Sequence, residues 1–354
     1  MRPLWPALLG CFIAVHSSLL WASEGDWRRA FEIIWESRWH QSGYPVHAIK
    51  WPDGIKEIRY SINLSASPAN ASRVREAIDK IAAVIGIATR EVPDESEIAD
   101  IEFNIRRYSD DELRHQSGVA SGSWKSFLYT KQRVSLSEQL AYRVVLHELM
   151  HAFGFPGHPQ GETVLSYFEG NQSSLRPIDS FLLRSWYGGS IKAGMNPLHT
   201  VRVLNRLWIS QNVPEQMRDV AYSVEQSWFD LTLKSMEQFA HGRGEPPIIL
   251  FRSGRLNDEG IRTGRRHMQA ILGEANIKGE GVPKNMAVGF QYLTMASASG
   301  SASAANLAAQ TLAENADSPL EAKYFCEWLK SPDSNRLRLN AAFRVAALES
   351  SACR

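Results

Sequence analysis

The chain has 354 residues, of which 44% are hydrophobic and 22% charged, an ordinary globular composition for about two domains. Its 39 lysines and arginines face 38 acidic residues, so it carries no overall basic field and nucleic acid is not an expected partner.

The first 22 residues read as a secretory signal peptide. Arg2 gives a positive start, the stretch from Leu4 to Val15 an apolar core, and Leu20-Trp21-Ala22 a cleavage site. A retained anchor is the alternative, but Pro6 and His16 make the segment poor for spanning a bilayer, and no other apolar stretch is long enough. Leu8-Leu9-Gly10-Cys11 is lipobox-like, yet it comes early in an apolar run that continues past it. The expectation is a secreted or periplasmic protein with no stable membrane insertion after cleavage. Cleavage leaves Cys326 and Cys353, which can pair in an oxidising compartment or stay as two thiols.

Trp27, Phe31, Ile34 and Trp35 recur at helical spacing and predict a helix over 26–39 with a core-facing stripe. Tyr60 and Ile62 alternate with Arg59 and Ser61, which predicts a strand over 58–64. Val74, Ile78, Ile81 and Ile85 predict a helix over 73–85. A strand is expected over 101–108, and a strand with loops over 118–135. This order gives an α+β first domain over 23–195. After Gly194 the strand signal fades and helical period takes over, apart from loops near 245–247 and 252–260. The boundary is placed near Asn196, with an all-α domain over 196–354.

The strongest motif is His147-Glu148-Leu149-Met150-His151. Ser135, with Glu138 three residues on, reads as the capping box that opens its helix. Two histidines four apart share a helical face, so both imidazoles can reach one metal. Glu148 beside them can hold a metal-bound water and accept its proton. Gly154 lets the helix stop, Pro156 and Gly157 continue the break, and His158 returns toward the first two histidines. Three histidines with a position left for water form a catalytic zinc arrangement. The plainer alternative is a core helix with two structural histidines.

The run His147-Glu148-x-x-His151-x-x-Gly154 resembles the start of the metzincin zinc-peptidase signature. The resemblance implies a third histidine at position 157. Gly157 stands there, so a one-residue bulge has to deliver His158; water, another group or Glu169 is the alternative ligand. The stretch from Thr163 to Tyr167 resembles the metzincin Met-turn, with Leu165 in the place of the methionine. Tyr167 falls where some members place a tyrosine that approaches the metal or the oxyanion; an ordinary buried tyrosine is the other reading. Leu175, Asp179, Leu183 and Tyr187-Gly188 resemble the closing helix of such domains, and 178–195 also resembles a secreted bacterial family. The resemblance covers residues 45–195, and its specific part is 144–188. It implies a twisted sheet with an active-site helix, and Zn2+ held by His147, His151 and His158. It also implies Glu148 as base and then proton donor, and a peptide or protein substrate. The substrate is expected to lie extended along an edge strand within 120–129.

In the tail, Leu272-Gly273, Gly279-Glu280-Gly281-Val282-Pro283, Ala287, Tyr292, Ala296, Ala298, Gly300 and Ala305 resemble one Sel-like tetratricopeptide-type repeat at 266–310. One such unit cannot bury its own face, so helices over 201–240 and 321–348 are expected to cover it. A docking surface for a protein partner and a cap on the first domain both fit. The rivals to a peptidase are an inactive metzincin-like binder and a helical scaffold.

Overall fold

A computed structural model describes residues 24–40, 43–63, 66–93, 98–115, 117–139, 141–167, 174–244, 258–314, 322–351 and 353. The signal-peptide reading, Cys11, Glu169 and the predicted loop at 245–247 lie outside these residues. So does the loop predicted at 252–260, except for 258–260.

The architecture is mixed α+β. In chain order the first part comprises α1 (Glu24–Glu36), β1 (Trp39–His40), β2 (Tyr44–Pro45), β3 (Glu57–Ile62), α2 (Pro68–Ile85), β4 (Ala88–Glu91), β5 (Ile101–Arg106), α3 (Asp110–His115), β6 (Gly118–Lys125), β7 (Leu128–Ser137), α4 (Tyr142–Ala152) and α5 (Pro177–Tyr187). Then follow α6 (Pro197–Asn212), α7 (Arg218–Ala240), α8 (Asp258–Lys278), α9 (Met286–Ala298), α10 (Ala302–Glu314), α11 (Lys323–Lys330) and α12 (Ala341–Glu349).

Five strands form one sheet in the order β4-β3-β5-β7-β6. All neighbours are parallel except β6, which runs antiparallel to β7 at the edge. Register pairs Phe103 with Val134 and Ile105 with Leu136, so these buried side chains share one face, the face that α2 and α4 cover. The other face carries ion pairs, including Arg59–Asp100 and Glu102 with Lys131 and Arg133.

Several boundaries differ from expectation. The motif helix begins at Tyr142, not Ser135. Ser135 lies in β7 opposite Asn104 and Val119, so there is no capping box at Ser135 and Glu138. The period-two alternation of buried Val134 and Leu136 between two partner strands overrides the local cap signal. Helix α1 stops at Glu36 because Trp39 and His40 pair with Pro45 and Tyr44. Helix α2 starts five residues early at Pro68, capped by Ser67, and ends at Gly86 in the left-handed region, φ 75°. Strand β4 was not foreseen; it is short, exposed and charged.

The apolar core does not stop at Asn196. Phe31 of α1 meets Trp208 of α6 edge-on, ring centroids 6.0 Å apart, and Trp228 of α7 at 5.9 Å. A second cluster fills α9 to α12. Gly273 and Gly289 bring α8 and α9 close, since a Cβ at either would lie 2.7 Å from Leu293 or Ile277. Cys326 and Cys353 are joined by a disulfide. Among the described residues, no helix is long and apolar enough to cross a membrane.

Candidate metal centre

Helix α4 turns Val145, Leu146, Leu149 and Met150 into the core and leaves His147 and His151 together on another flank. It ends at Gly154, φ 108°, where a Cβ would lie 2.5 Å from the Ile49 carbonyl oxygen and 2.8 Å from Trp186 Nε1. The buried Arg38 guanidinium donates to the Gly154 carbonyl and to those of Val46 and His47, and lies 4.2 Å from the Trp186 ring. Burial brings Arg38 down to about 9.

The chain then passes against the end of α1. Gly157 N–H donates to Ser37 O at 3.0 Å, and Gln160 N–H to Glu36 Oε2 at 2.7 Å. A Cβ on residue 157 would sit 1.9 Å from the Glu36 carbonyl oxygen. No side chain fits there, so the third histidine stands one position later.

His158 reaches the first two. Its Nε2 is 3.0 Å from His151 Nε2, which is 3.1 Å from His147 Nε2. The three ligand atoms lie within 4.8 Å of one another. His147 Nδ1 is 2.8 Å from Val164 O and His151 Nδ1 2.6 Å from Phe155 O. Carbonyls only accept, so both Nδ1 atoms carry the proton and both Nε2 atoms turn lone pairs inward. Burial pushes His147 down to about 3, with His151 and Arg143 adding to it against the Val164 carbonyl. Burial likewise brings His151 to about 4, against the Phe155 carbonyl and with His40 adding. Neutral imidazoles with converging lone pairs are the form that binds a cation, and the three histidines can hold a metal ion.

Glu148 is 5% exposed, and burial pushes its carboxyl up to about 8, opposed by a hydrogen bond from the Ala120 backbone. Gly118 makes room for it: a Cβ there would lie 2.8 Å from Glu148 Cγ. Edge strand β6 therefore runs beside Glu148. The ring of Tyr167 stacks on His158, centroids 4.0 Å apart at 15°, and tilts over His147 at 5.3 Å.

The turn below the histidines is held by Asp179 of α5. It accepts from Thr163 Oγ1, from Val164 N–H at 3.1 Å and from Arg176 N–H at 2.8 Å. Val164 in turn offers its carbonyl to His147, so Asp179 orients a candidate ligand through one residue. Leu165 is buried in the adjoining core. The three histidines and Tyr167 thus lie together, with Glu148 next to His147 on the same helix, whereas Arg38 and Asp179 as supports were missed. Asp179 was visible only as part of a helical stripe, and a lone arginine after a helix carries no signal.

Compared with known proteins, the chain matches no family model, and no curated protein matches it.

Proposed function

We propose that the protein is a secreted or periplasmic zinc-dependent metallopeptidase with a metzincin-like first domain. The observation that carries this reading is the convergence of three histidine side chains, two of them on the helix that also carries the buried Glu148, beside β6, which is an edge strand among the described residues. Zinc bonds of about 2.0–2.1 Å in a tetrahedron separate nitrogen ligands by about 3.3 Å. The two separations of 3.0 and 3.1 Å are close to that spacing, and all three ligand atoms lie within 4.8 Å of one another. An all-nitrogen donor set disfavours magnesium and calcium.

When bound, zinc would supply a Lewis acid and lower the pKa of a coordinated water to about 7. In this reading Glu148 would take the proton of the attacking water and pass it to the leaving amine. The hydroxyl of Tyr167 would donate to the developing oxyanion. An extended peptide would add to the outer edge of β6, whose backbone beside Gly118 and Ala120 runs next to Glu148. Gly273 and Gly289 support the Sel-like reading of α8 and α9, through the close packing such units need.

The test is metal analysis of the purified mature protein beside His151→Ala and Glu148→Ala. One zinc per wild-type chain is expected, lost in His151→Ala and kept in Glu148→Ala, with peptide hydrolysis in the wild type alone. No stoichiometric zinc after metal-replete purification would end the peptidase reading. Stoichiometric zinc without hydrolysis would favour the inactive binder.

A further inference from the structure

A second group of rings lies at the His151 end of the centre, where α8 meets the β1–β2 ribbon. Tyr44 of β2 stacks on His267 of α8 with centroids 3.9 Å apart and 13° between planes. His40 of β1 stacks with Tyr44 at 5.6 Å and 28°. Alongside, His47 Nε2 bonds Glu274 Oε2 of α8, and Glu274 also accepts from Asn196 Nδ2 at 3.4 Å and Lys278 Nζ at 2.6 Å. These contacts tie the ribbon and the residues after it to α8.

His40 is exposed and lies within electrostatic reach of His151. The segment leading to it, 36–38, is bonded to the loop that carries His158 through Glu36, Ser37 and Arg38. A peptide crossing the metal centre would therefore pass this wall of rings.

We propose that the His40–Tyr44–His267 stack is a subsite for an aromatic side chain of the peptide substrate, an inference that rests on the peptidase reading. The chemistry favours a ring over the other classes of side chain. Glu274, the acidic residue that borders the stack on α8, is committed to His47 and Lys278. Flat rings backed by a helix gain from a further offset or edge-on ring, by about 3- to 10-fold in affinity relative to an aliphatic group of similar area. The ring from α8 makes the helical region a contributor to specificity.

The experiment uses full-length zinc-loaded protein and a peptide library varied one position at a time. Relative kcat/KM is read for Phe, Tyr and Trp against Leu and Met, and binding of the best peptide to Glu148→Gln is read by calorimetry. The wild type is expected to prefer an aromatic residue at one position by about 3- to 10-fold. His40→Ala should bring that ratio near 1 and His40→Phe should restore it, with zinc content equal in all three. The same preference should appear in the calorimetric affinities. No aromatic preference, or one that survives in His40→Ala, would overturn this inference alone. Hydrolysis of no library member by the zinc-loaded wild type would overturn the peptidase reading and this inference with it.

Discussion

Gly157 offers the sharpest test of how the centre is built. The metzincin-like spacing calls for histidine at 157, yet in this fold a Cβ there would lie 1.9 Å from Glu36 O, 2.8 Å from Ser37 C and 2.9 Å from Glu36 C. All three are backbone atoms, which cannot swing aside as a side chain would. A normal carbon–oxygen contact of more than about 3 Å requires the two segments to separate by about 1 Å. That separation breaks the Gly157–Ser37 hydrogen bond and strains the Gln160–Glu36 bond. Two such bonds at about 1 kcal/mol each, with the strain of overpacking, put the cost of Gly157→Ala at about 2–4 kcal/mol. His158 is the next residue, and metal coordination tolerates displacements of only about 0.2 Å. Zinc affinity is therefore expected to fall by about tenfold or more. The double variant Gly157→His/His158→Gly, which restores the metzincin-like spacing, should bind zinc worse still. Urea unfolding and competitive zinc titration measure both effects. A Gly157→Ala protein with wild-type zinc affinity and stability would refute this account of the displaced histidine.

In metal-free protein, burial holds the Glu148 carboxyl at about 8 against an ordinary 4.5. The folded state then binds that proton more tightly than the unfolded state, so the stability it contributes is present below pH 4.5 and lost as pH rises toward 8. Glu148→Gln should accordingly gain about 3–5 kcal/mol over wild type at pH 8 and almost nothing at pH 4 in urea unfolding; an equal gain at both pH values would contradict it. Asp179→Asn puts an amide donor where Thr163 and Val164 donate, so zinc affinity should drop by about 10- to 100-fold in competitive titration; an unchanged affinity would remove Asp179 as a support of His147. The Cys326–Cys353 bridge spans 27 positions, and Cys326→Ser should lower stability by about 3.5 kcal/mol in denaturant unfolding under oxidising conditions. Under reducing conditions the two proteins should converge.

The centre was more legible in the sequence than its surroundings. His147 and His151 sit at a spacing that helix geometry converts directly into a shared face. His158 was readable only as a residue after a break, because its position depends on Ser37 and Glu36, more than a hundred residues upstream. The start of α4 was misread for a related reason. The Ser135 and Glu138 pattern is a sound local cap, but β5 and β6 flank β7 and claim Ser135 as strand. Arg38 and Lys50 were invisible as structural residues, since isolated basic residues usually face solvent. Here Lys50 is buried and donates to the carbonyls of Trp186 at 2.8 Å and Ile191 at 3.0 Å, pinning the end of α5. Such roles are set by tertiary placement and leave no periodic trace.

The change of texture near Asn196 marks a change of secondary structure, while the packing runs straight across it. Asn196 caps α6 and donates to Ile271 O at 3.1 Å in α8, so the residue at the transition is itself a tie between the two parts. Gly281 lies against the backbone of Leu198 and His199, where a Cβ would be 2.7 Å from either, and this brings the Gly-rich turn onto the start of α6. Helix α1, first in the described chain, buries Trp27 and Phe31 and packs on α6 and α7. The same helix supplies Glu36, and the residues just past its end, Ser37 and Arg38, hold the loops around His158. One helix thus connects the helical region to the placement of a candidate ligand. A scaffold that acts independently of the three histidines would have no need of that connection, whereas a metal site whose third candidate ligand is set from outside its own motif does.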